Sequence, residues 1–218
     1  MNHLQEQMRR RWDEKGWDYD HSHAHGVHSD TEKSQWKARF QAHSEKALEV
    51  LDVGTGTGFV ALLAAELGHQ VTAIDWSRTM LAQAKSKAES ESLEIEFIEG
   101  MTESLPFEND RFDVLTARHL LWTLSDPDRA LSEWFRVIKP GGTVWADYTP
   151  RNEEHAGHHY SDEVENQLPL NKNISQETVE ALFRNAGFID VRAERLDRGP
   201  EHHGHRTTYL FSGVKPSR

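Results

Sequence analysis

From residue 48 to residue 148 the chain alternates short apolar runs with stretches that carry their apolar residues on one helical face. LEVLDV, QVTAID, LEIEFIEG, FDVLTAR and TVWADY are the runs. A strand covered on both faces reads this way. Between them, FVALLAAELG sets Val60, Leu63, Ala64 and Leu67 on one stripe and stops at Gly68. SRTMLAQAKSKAES begins behind Ser77, a suitable helix cap. DPDRALSEWFRVI has Asp126 ahead of it and Pro127 near its first position, and the turn KPGG follows. After residue 173, SQETVEALFRNAGF repeats the helical pattern with a Ser175 cap, Val179, Leu182 and Phe183 on one face, and Gly187 at the stop. IDVRAERLD and TTYLFSGVK read as two last strands, a hairpin around GPEHHGHR. Strands alternating with helices predict an α/β fold, a doubly wound and mostly parallel seven-stranded sheet with helices on both faces.

The flanks break this rhythm. In residues 1–45, Leu4, Met8 and Trp12 recur every four positions, as in an amphipathic helix. A second helix through TEKSQWKARFQAH is capped by Ser29 or Asp30. We read 1–45 as an N-terminal helical lid and 46–218 as the binding domain. Residues 149–173 form a polar cap segment with one short helix, inserted over the strand ends. Trp12, Trp17 and Trp36 cluster in the lid sequence, either lining an apolar cover or docking its helices.

Charge narrows the partners. With 36 acidic against 25 basic residues, the formal charge of −11 disfavours a nucleic acid. No cysteine is present, so thiolate nucleophiles and thiolate metal sites are excluded. No apolar run reaches the roughly 20 residues that span a bilayer, and the N-terminus has no signal-peptide core. The expectation is a cytoplasmic protein, monomer or homodimer, that binds a small molecule and no membrane.

The first strand ends in LDVGTGTGF. Gly54, Gly56 and Gly58 let backbone approach a ligand at the strand ends, where open parallel sheets bind. Asp75 ends the second strand, placed to accept the hydroxyls of a ribose. Both an NAD enzyme and another nucleoside binder fit so far. The dinucleotide fingerprint is G-x-G-x-x-G, however, and here Phe59 stands at its third glycine position. Asp52, beside the loop, repels a pyrophosphate and tolerates a sulfonium.

VLDVGTGTG, AIDWS, LPFENDRFDV and RVIKPGG, in that order, resemble the class I S-adenosylmethionine-dependent methyltransferases, specifically the small-molecule group with the "methyltransferase 11" type of domain. The resemblance spans roughly residues 46–148 and implies a Rossmann-like domain with S-adenosyl-L-methionine as cofactor. It implies that Asp52 and the loop Gly54, Thr55, Gly56 and Gly58 face the cofactor's methionine part. Asp75 then binds the ribose, Trp76 lies against the adenine, and Tyr19 approaches the carboxylate. Met80, Met101, Thr102 and Arg118 complete the expected cofactor set. Where relatives carry an acidic residue followed by a small one after the third strand, this chain has Met101 and Thr102.

Methyl transfer needs alignment, and a base only where the nucleophile carries a proton. His119 in TARHLLWTL is the candidate base, since histidine titrates near neutrality. A packing role is its other reading. Arg118 suits a carboxylate, and Trp122 forms pocket wall or core. The chain holds 14 histidines. His21, His23 and His25 alternate, His28 follows, and His155, His158 and His159 sit in the cap segment. His25 and His28 join His119 as candidate catalytic residues, and His159, Tyr160 and Trp122 are candidate substrate contacts. His25, His28 and His159 also form a candidate site for a divalent transition metal, with solvated loop residues as the competing reading. The function read from this is a small-molecule methyltransferase acting on oxygen, nitrogen or sulfur. The alternatives are a non-catalytic cofactor- or metal-sensing module and, third, an NAD-dependent oxidoreductase.

Overall fold

The structure is a computed structural model that describes residues 2–16, 19, 30–150, 160–171, 173–197 and 207–217. The helices are α1 (His3–Lys15), α2 (Asp30–His43), α3 (Phe59–Glu66), α4 (Arg78–Ser90), α5 (Pro127–Val137), α6 (Asp162–Glu165) and α7 (Gln176–Asn185). The strands are β1 (Glu49–Val53), β2 (Gln70–Asp75), β3 (Ile95–Glu99), β4 (Phe112–Ala117), β5 (Ile138–Tyr148), β6 (Ile189–Leu196) and β7 (Thr208–Val214). They form one seven-stranded sheet in the order β3-β2-β1-β4-β5-β7-β6. The pairs among β1 to β5 are parallel, and β7 runs antiparallel to both β5 and β6. This is the expected doubly wound sheet with a terminal hairpin.

Adjacent residues of one strand divide between two core clusters. Val50, Val114, Trp145 and Leu210 face one, with Trp36 and Phe40 of α2 and the apolar stripe of α3. Leu51, Leu115, Val144 and Phe211 face the other, with Met8 of α1 and residues of α5 and α7. Both faces are therefore covered, as the near-continuous apolar runs require. The clusters also separate the lid aromatics. Trp36 is fully buried against the α2–α3 side, while Trp12 packs with the α1 side. The sequence grouped them, and the structure does not. Trp17 lies outside the described residues.

The expected caps form. The Ser77 hydroxyl accepts from Met80 N–H, Asp126 from Arg129 N–H, and Ser175 from Thr178 N–H. The fifth strand starts earlier than TVWADY. It takes in KPGG, with Ile138 opposite Phe112 and a register shift before Val114–Thr143. Gly142 permits this, since a Cβ there would lie 2.7 Å from the Asp113 carbonyl oxygen. In the second helix Asp30 lies in the first turn, and Ser29, the other expected cap, lies outside the described residues. No helix among the described residues is long and apolar enough to cross a membrane.

Candidate active site

Strand order reverses around β1, which lies between β2 and β4. At their C-terminal ends is a cavity, in the place where open parallel sheets bind ligands. Its wall includes Trp12 of α1, Tyr19, Gly54 and Gly56 of the loop, Asp75 and Trp76 after β2, Met80 of α4, and Gly100, Thr102 and Glu103 after β3. Arg118, His119, Leu120, Thr123 and Leu124 after β4 close it. A second cavity lies across the glycine loop against α3, sharing Tyr19, Gly54, Gly56 and Arg118, with Thr55 in its wall.

The loop geometry is steric in origin. Gly54 has φ of +61°, and a Cβ there would fall 2.6 Å from Leu120 Cδ1. Gly56 has φ of +55° with nothing within 4 Å of the added Cβ, so space for a ligand adjoins it. Gly58 lines neither cavity. Its added Cβ would meet Ala84 of α4 at 3.1 Å, so it is a packing glycine, contrary to the expected cofactor contact.

Two carboxylates follow different designs. Asp75 lies in the wall, with Oδ2 accepting from Gly56 N–H and Oδ1 from Ser77 N–H, both at 2.9 Å. Burial pushes its carboxyl up to about 6, against the pull of those N–H groups, and nearby Asp52 adds to the rise. Asp52 does not line the cavity. Its Oδ2 accepts from the Thr55 hydroxyl at 2.7 Å and its Oδ1 from the Thr116 hydroxyl at 2.6 Å. Burial pushes it too up to about 6, opposed by those two hydroxyls. Asp52 therefore ties the loop to β4, where the sequence suggested contact with the ligand.

At the β4 end His119 adopts φ of +55°, rare for a side chain with a Cβ. Its N–H donates to Asp147 Oδ1 of β5, and its Nδ1 lies 3.4 Å from Asp147 Oδ2. Backbone strain of this kind gathers at functional sites. Arg118 is buried beside it. Its Nε donates to Glu32 Oε1 of α2 at 2.8 Å, and its guanidinium stands 4.3 Å from the centre of the Phe59 ring. Its Nη2 is buried and makes no hydrogen bond among the described residues. Glu103 Oε2 is in the same condition.

Several expected contacts fall elsewhere. Trp122 and Tyr160 are core residues behind Trp12, which meets both edge to face and donates from Nε1 to the Tyr160 hydroxyl at 2.6 Å. Neither lines the cavity, so a direct substrate contact does not follow. Met101 turns back in a bridge to Ser104 and is not in the wall. Thr102 is in the wall, but its Oγ1 accepts from Trp134 Nε1 at 2.8 Å. His25, His28 and His159 lie outside the described residues, with the other histidines of those segments. Among the described residues no group of three or more His, Cys, Asp or Glu is arranged to hold a metal ion. Sequence reasoning missed Glu103, Asp147 and Glu32. An acidic residue at the end of a strand beside β4 was the available signal for Asp147.

The wall suits a cationic nucleoside better than a dinucleotide. Asp75 and Glu103 stand in it, Asp52 lies behind it, and Arg118 is already matched by Glu32. A pyrophosphate would meet this charge unfavourably, while a sulfonium would be attracted.

Residues 51–146 match the model of a family described as "Methyltransferase domain". The chain is 39% identical over 119 residues to the demethylmenaquinone methyltransferase of Chlorobaculum tepidum, covering 53% of this chain and 48% of that one. It is 28% identical over 176 residues to the ubiquinone/menaquinone biosynthesis C-methyltransferase UbiE of Vibrio parahaemolyticus, covering 69% and 68%. The chain thus spans about half the length of the first of these relatives. Among solved structures, phosphoethanolamine N-methyltransferase 2 of Haemonchus contortus, in complex with S-adenosyl-L-methionine, is similar with a TM-score of 0.75. Identity there is 20%, over 100% of this chain and 61% of that one.

Proposed function

Because residues 51–146 belong to the class I S-adenosylmethionine-dependent methyltransferases, we propose that the whole chain is an enzyme that methylates a small-molecule acceptor at oxygen, nitrogen or sulfur. One observation carries this reading. A single cavity joins a nucleoside-type wall, Asp75, Trp76 and Met80, to the His119–Asp147 pair.

When bound, S-adenosyl-L-methionine supplies an electrophilic methyl carbon on a positively charged sulfur. The chain's own residues bind, align and deprotonate. Asp75 keeps lone pairs for two sugar hydroxyls beyond the N–H groups it already holds. Trp76 and Met80 offer apolar surface to a base. Arg118 Nη2, a buried donor without a partner among the described residues, suits a ligand carboxylate. Trp12 and Tyr19, both in the cavity wall, add aromatic surface that would exclude water.

His119 is the general base. Its Nδ1 lies 3.4 Å from Asp147 Oδ2, and closure of that gap to a hydrogen bond in the complex would hold the proton on Nδ1 and leave Nε2 to accept one from the acceptor. Asp147 fixes the ring and stabilises the imidazolium that forms. This paired and strained arrangement favours catalysis over a sensing role. A divalent metal on His25, His28 and His159 would add a Lewis acid. Metal analysis of the untagged protein and of its His25→Ala and His28→Ala variants tests that part, and trace metal throughout would remove it.

The curated relatives are named for quinone biosynthesis, one of them as a C-methyltransferase, so ring compounds with ionisable hydroxyls, scored for transfer to carbon as well as to oxygen, come first in a panel that also includes amines and thiols. The test is transfer of a labelled methyl group from S-adenosyl-L-methionine to that panel. Transfer that depends on His119 supports the reading. Tight cofactor binding with no transfer to any acceptor class would favour the sensing module.

A further inference from the structure

The sugar side of the cavity is held from behind by α1. Ser77, fully buried, donates from its hydroxyl to Asp13 Oδ1 of α1 at 2.7 Å. That length is typical of a hydroxyl on an ionised carboxylate. The same Ser77 oxygen accepts from Met80 N–H at 3.3 Å, which caps α4. The Ser77 N–H donates to Asp75 Oδ1 at 2.9 Å. Ser77 thus stands between two carboxylates, one in the cavity wall and one in α1. Asp13 lines neither cavity, so ligand contact does not account for it.

The end of α1 is seated closely on α4. Gln83 Nε2 of α4 donates to the Gly16 carbonyl oxygen, and a Cβ added at Gly16 would lie 2.8 Å from Thr79 Cγ2. Asp13 is therefore held where it meets Ser77. A buried hydroxyl has to place its proton on an acceptor. Here the proton goes to Asp13. Without Asp13, the nearest carboxylate along the chain is Asp75, two residues back and already joined to the Ser77 N–H. A carboxylate offers about four acceptor positions. On Asp75 the Gly56 and Ser77 N–H groups take two of them, which leaves two for a sugar. A bond from the Ser77 hydroxyl would take one of those.

We propose that Asp13 is a positioning residue for the sugar site: it draws the Ser77 hydroxyl proton to α1 and so keeps Asp75 open to both hydroxyls of the ligand. The inference rests on the reading of Asp75 as the sugar ligand and adds a residue from another helix to it. Asp13 acts on the ligand only through Ser77 and Asp75. Removing it leaves the wall intact and changes which donor Asp75 receives.

Calorimetric titration with S-adenosylhomocysteine and with its analogue lacking the 2′- and 3′-hydroxyls tests this without turnover. The wild-type protein should prefer the hydroxylated compound by about 100-fold, two hydrogen bonds to a charged group at about tenfold each. Asp13 is half-buried and alanine is the best helix former, so Asp13→Ala keeps the fold. Its preference should fall by about tenfold, the worth of one such bond. Ser77→Ala removes the hydroxyl that Asp13 restrains. The double variant should therefore regain the wild-type preference within about 3-fold, a coupling that a purely structural brace does not produce. An undiminished preference in Asp13→Ala would overturn the proposal and leave the Asp75 reading intact. So would equal weakening of both ligands in Asp13→Ala, or a double variant that regains nothing. Wild-type protein that binds the two ligands equally, or binds neither, would remove the reading and the proposal together.

Discussion

His119 and Asp147 meet across the ends of neighbouring strands, joined through the His119 N–H and a 3.4 Å approach of Nδ1 to Oδ2. The left-handed backbone at His119 turns the chain as it leaves β4, and the residue after Arg118 reaches the same cavity. His119→Asn should lower kcat by about 10²- to 10⁴-fold, the usual worth of general-base catalysis. Affinity for S-adenosylhomocysteine should stay within about 3-fold, since binding and chemistry are separate contributions. Kinetics and calorimetry on one preparation check this, and unchanged turnover would return His119 to a packing role.

With Asp75 as the sugar ligand, cofactor binding should depend on pH. In the free protein burial raises its carboxyl to about 6. Sugar hydroxyls donate to the ionised form, so the bound state has the lower value. Binding then expels a proton below about pH 6, and affinity rises with pH up to that point and levels off above it. The fall on acidification should approach tenfold per pH unit at most for one coupled group. Titrations with S-adenosylhomocysteine at pH 5.0, 6.0 and 7.5 measure it, and Asp75→Asn should flatten the dependence. Affinity that improved on acidification would contradict the assignment.

Two loop glycines separate strain from collision. Gly56→Ala should cost about 1 kcal/mol, because alanine resists the left-handed backbone but meets no atom. Gly54→Ala carries the same strain and also drives a Cβ into Leu120, adding about 1–3 kcal/mol of overpacking. Urea unfolding of the two variants should rank them in that order. An equal loss would show that Leu120 yields at no cost.

Much of this architecture was legible because it is local. Ser77, Asp126 and Ser175 cap helices through hydrogen bonds three residues away, and the apolar runs announce strands buried on both faces. Asp75 was legible because the end of β2 is a fixed place in this topology. Asp52 was misread because its second partner, Thr116, is 64 residues distant and appears only when β1 pairs with β4. Glu103 was passed over for Met101 and Thr102, since the turn after β3 puts Met101 out of the wall and Glu103 in it. Trp12 and Trp36 share the N-terminal segment but not a face, a distinction set by which layer each helix docks on.

Trp12 and Tyr160 join α1 to the segment before α6 through the indole N–H and the phenol oxygen. Burial pushes the Tyr160 hydroxyl well above its ordinary value, so it remains a neutral phenol at working pH. Trp12→Phe and Tyr160→Phe should each cost about 1–2 kcal/mol, and the double variant little more than either, with a coupling near 1 kcal/mol. Thermal or urea unfolding of the four proteins gives the cycle. Additive losses would mean that the bond contributes nothing.

The central claim is that the crevice beside Gly54 and Asp75 holds an S-adenosyl nucleoside. Titration of the purified chain with S-adenosylhomocysteine, and in parallel with NAD, tests it directly. The account predicts saturable binding of S-adenosylhomocysteine near one per chain, weakened by Asp75→Ala, and no saturation with NAD. Saturable binding of NAD with none of S-adenosylhomocysteine would contradict it.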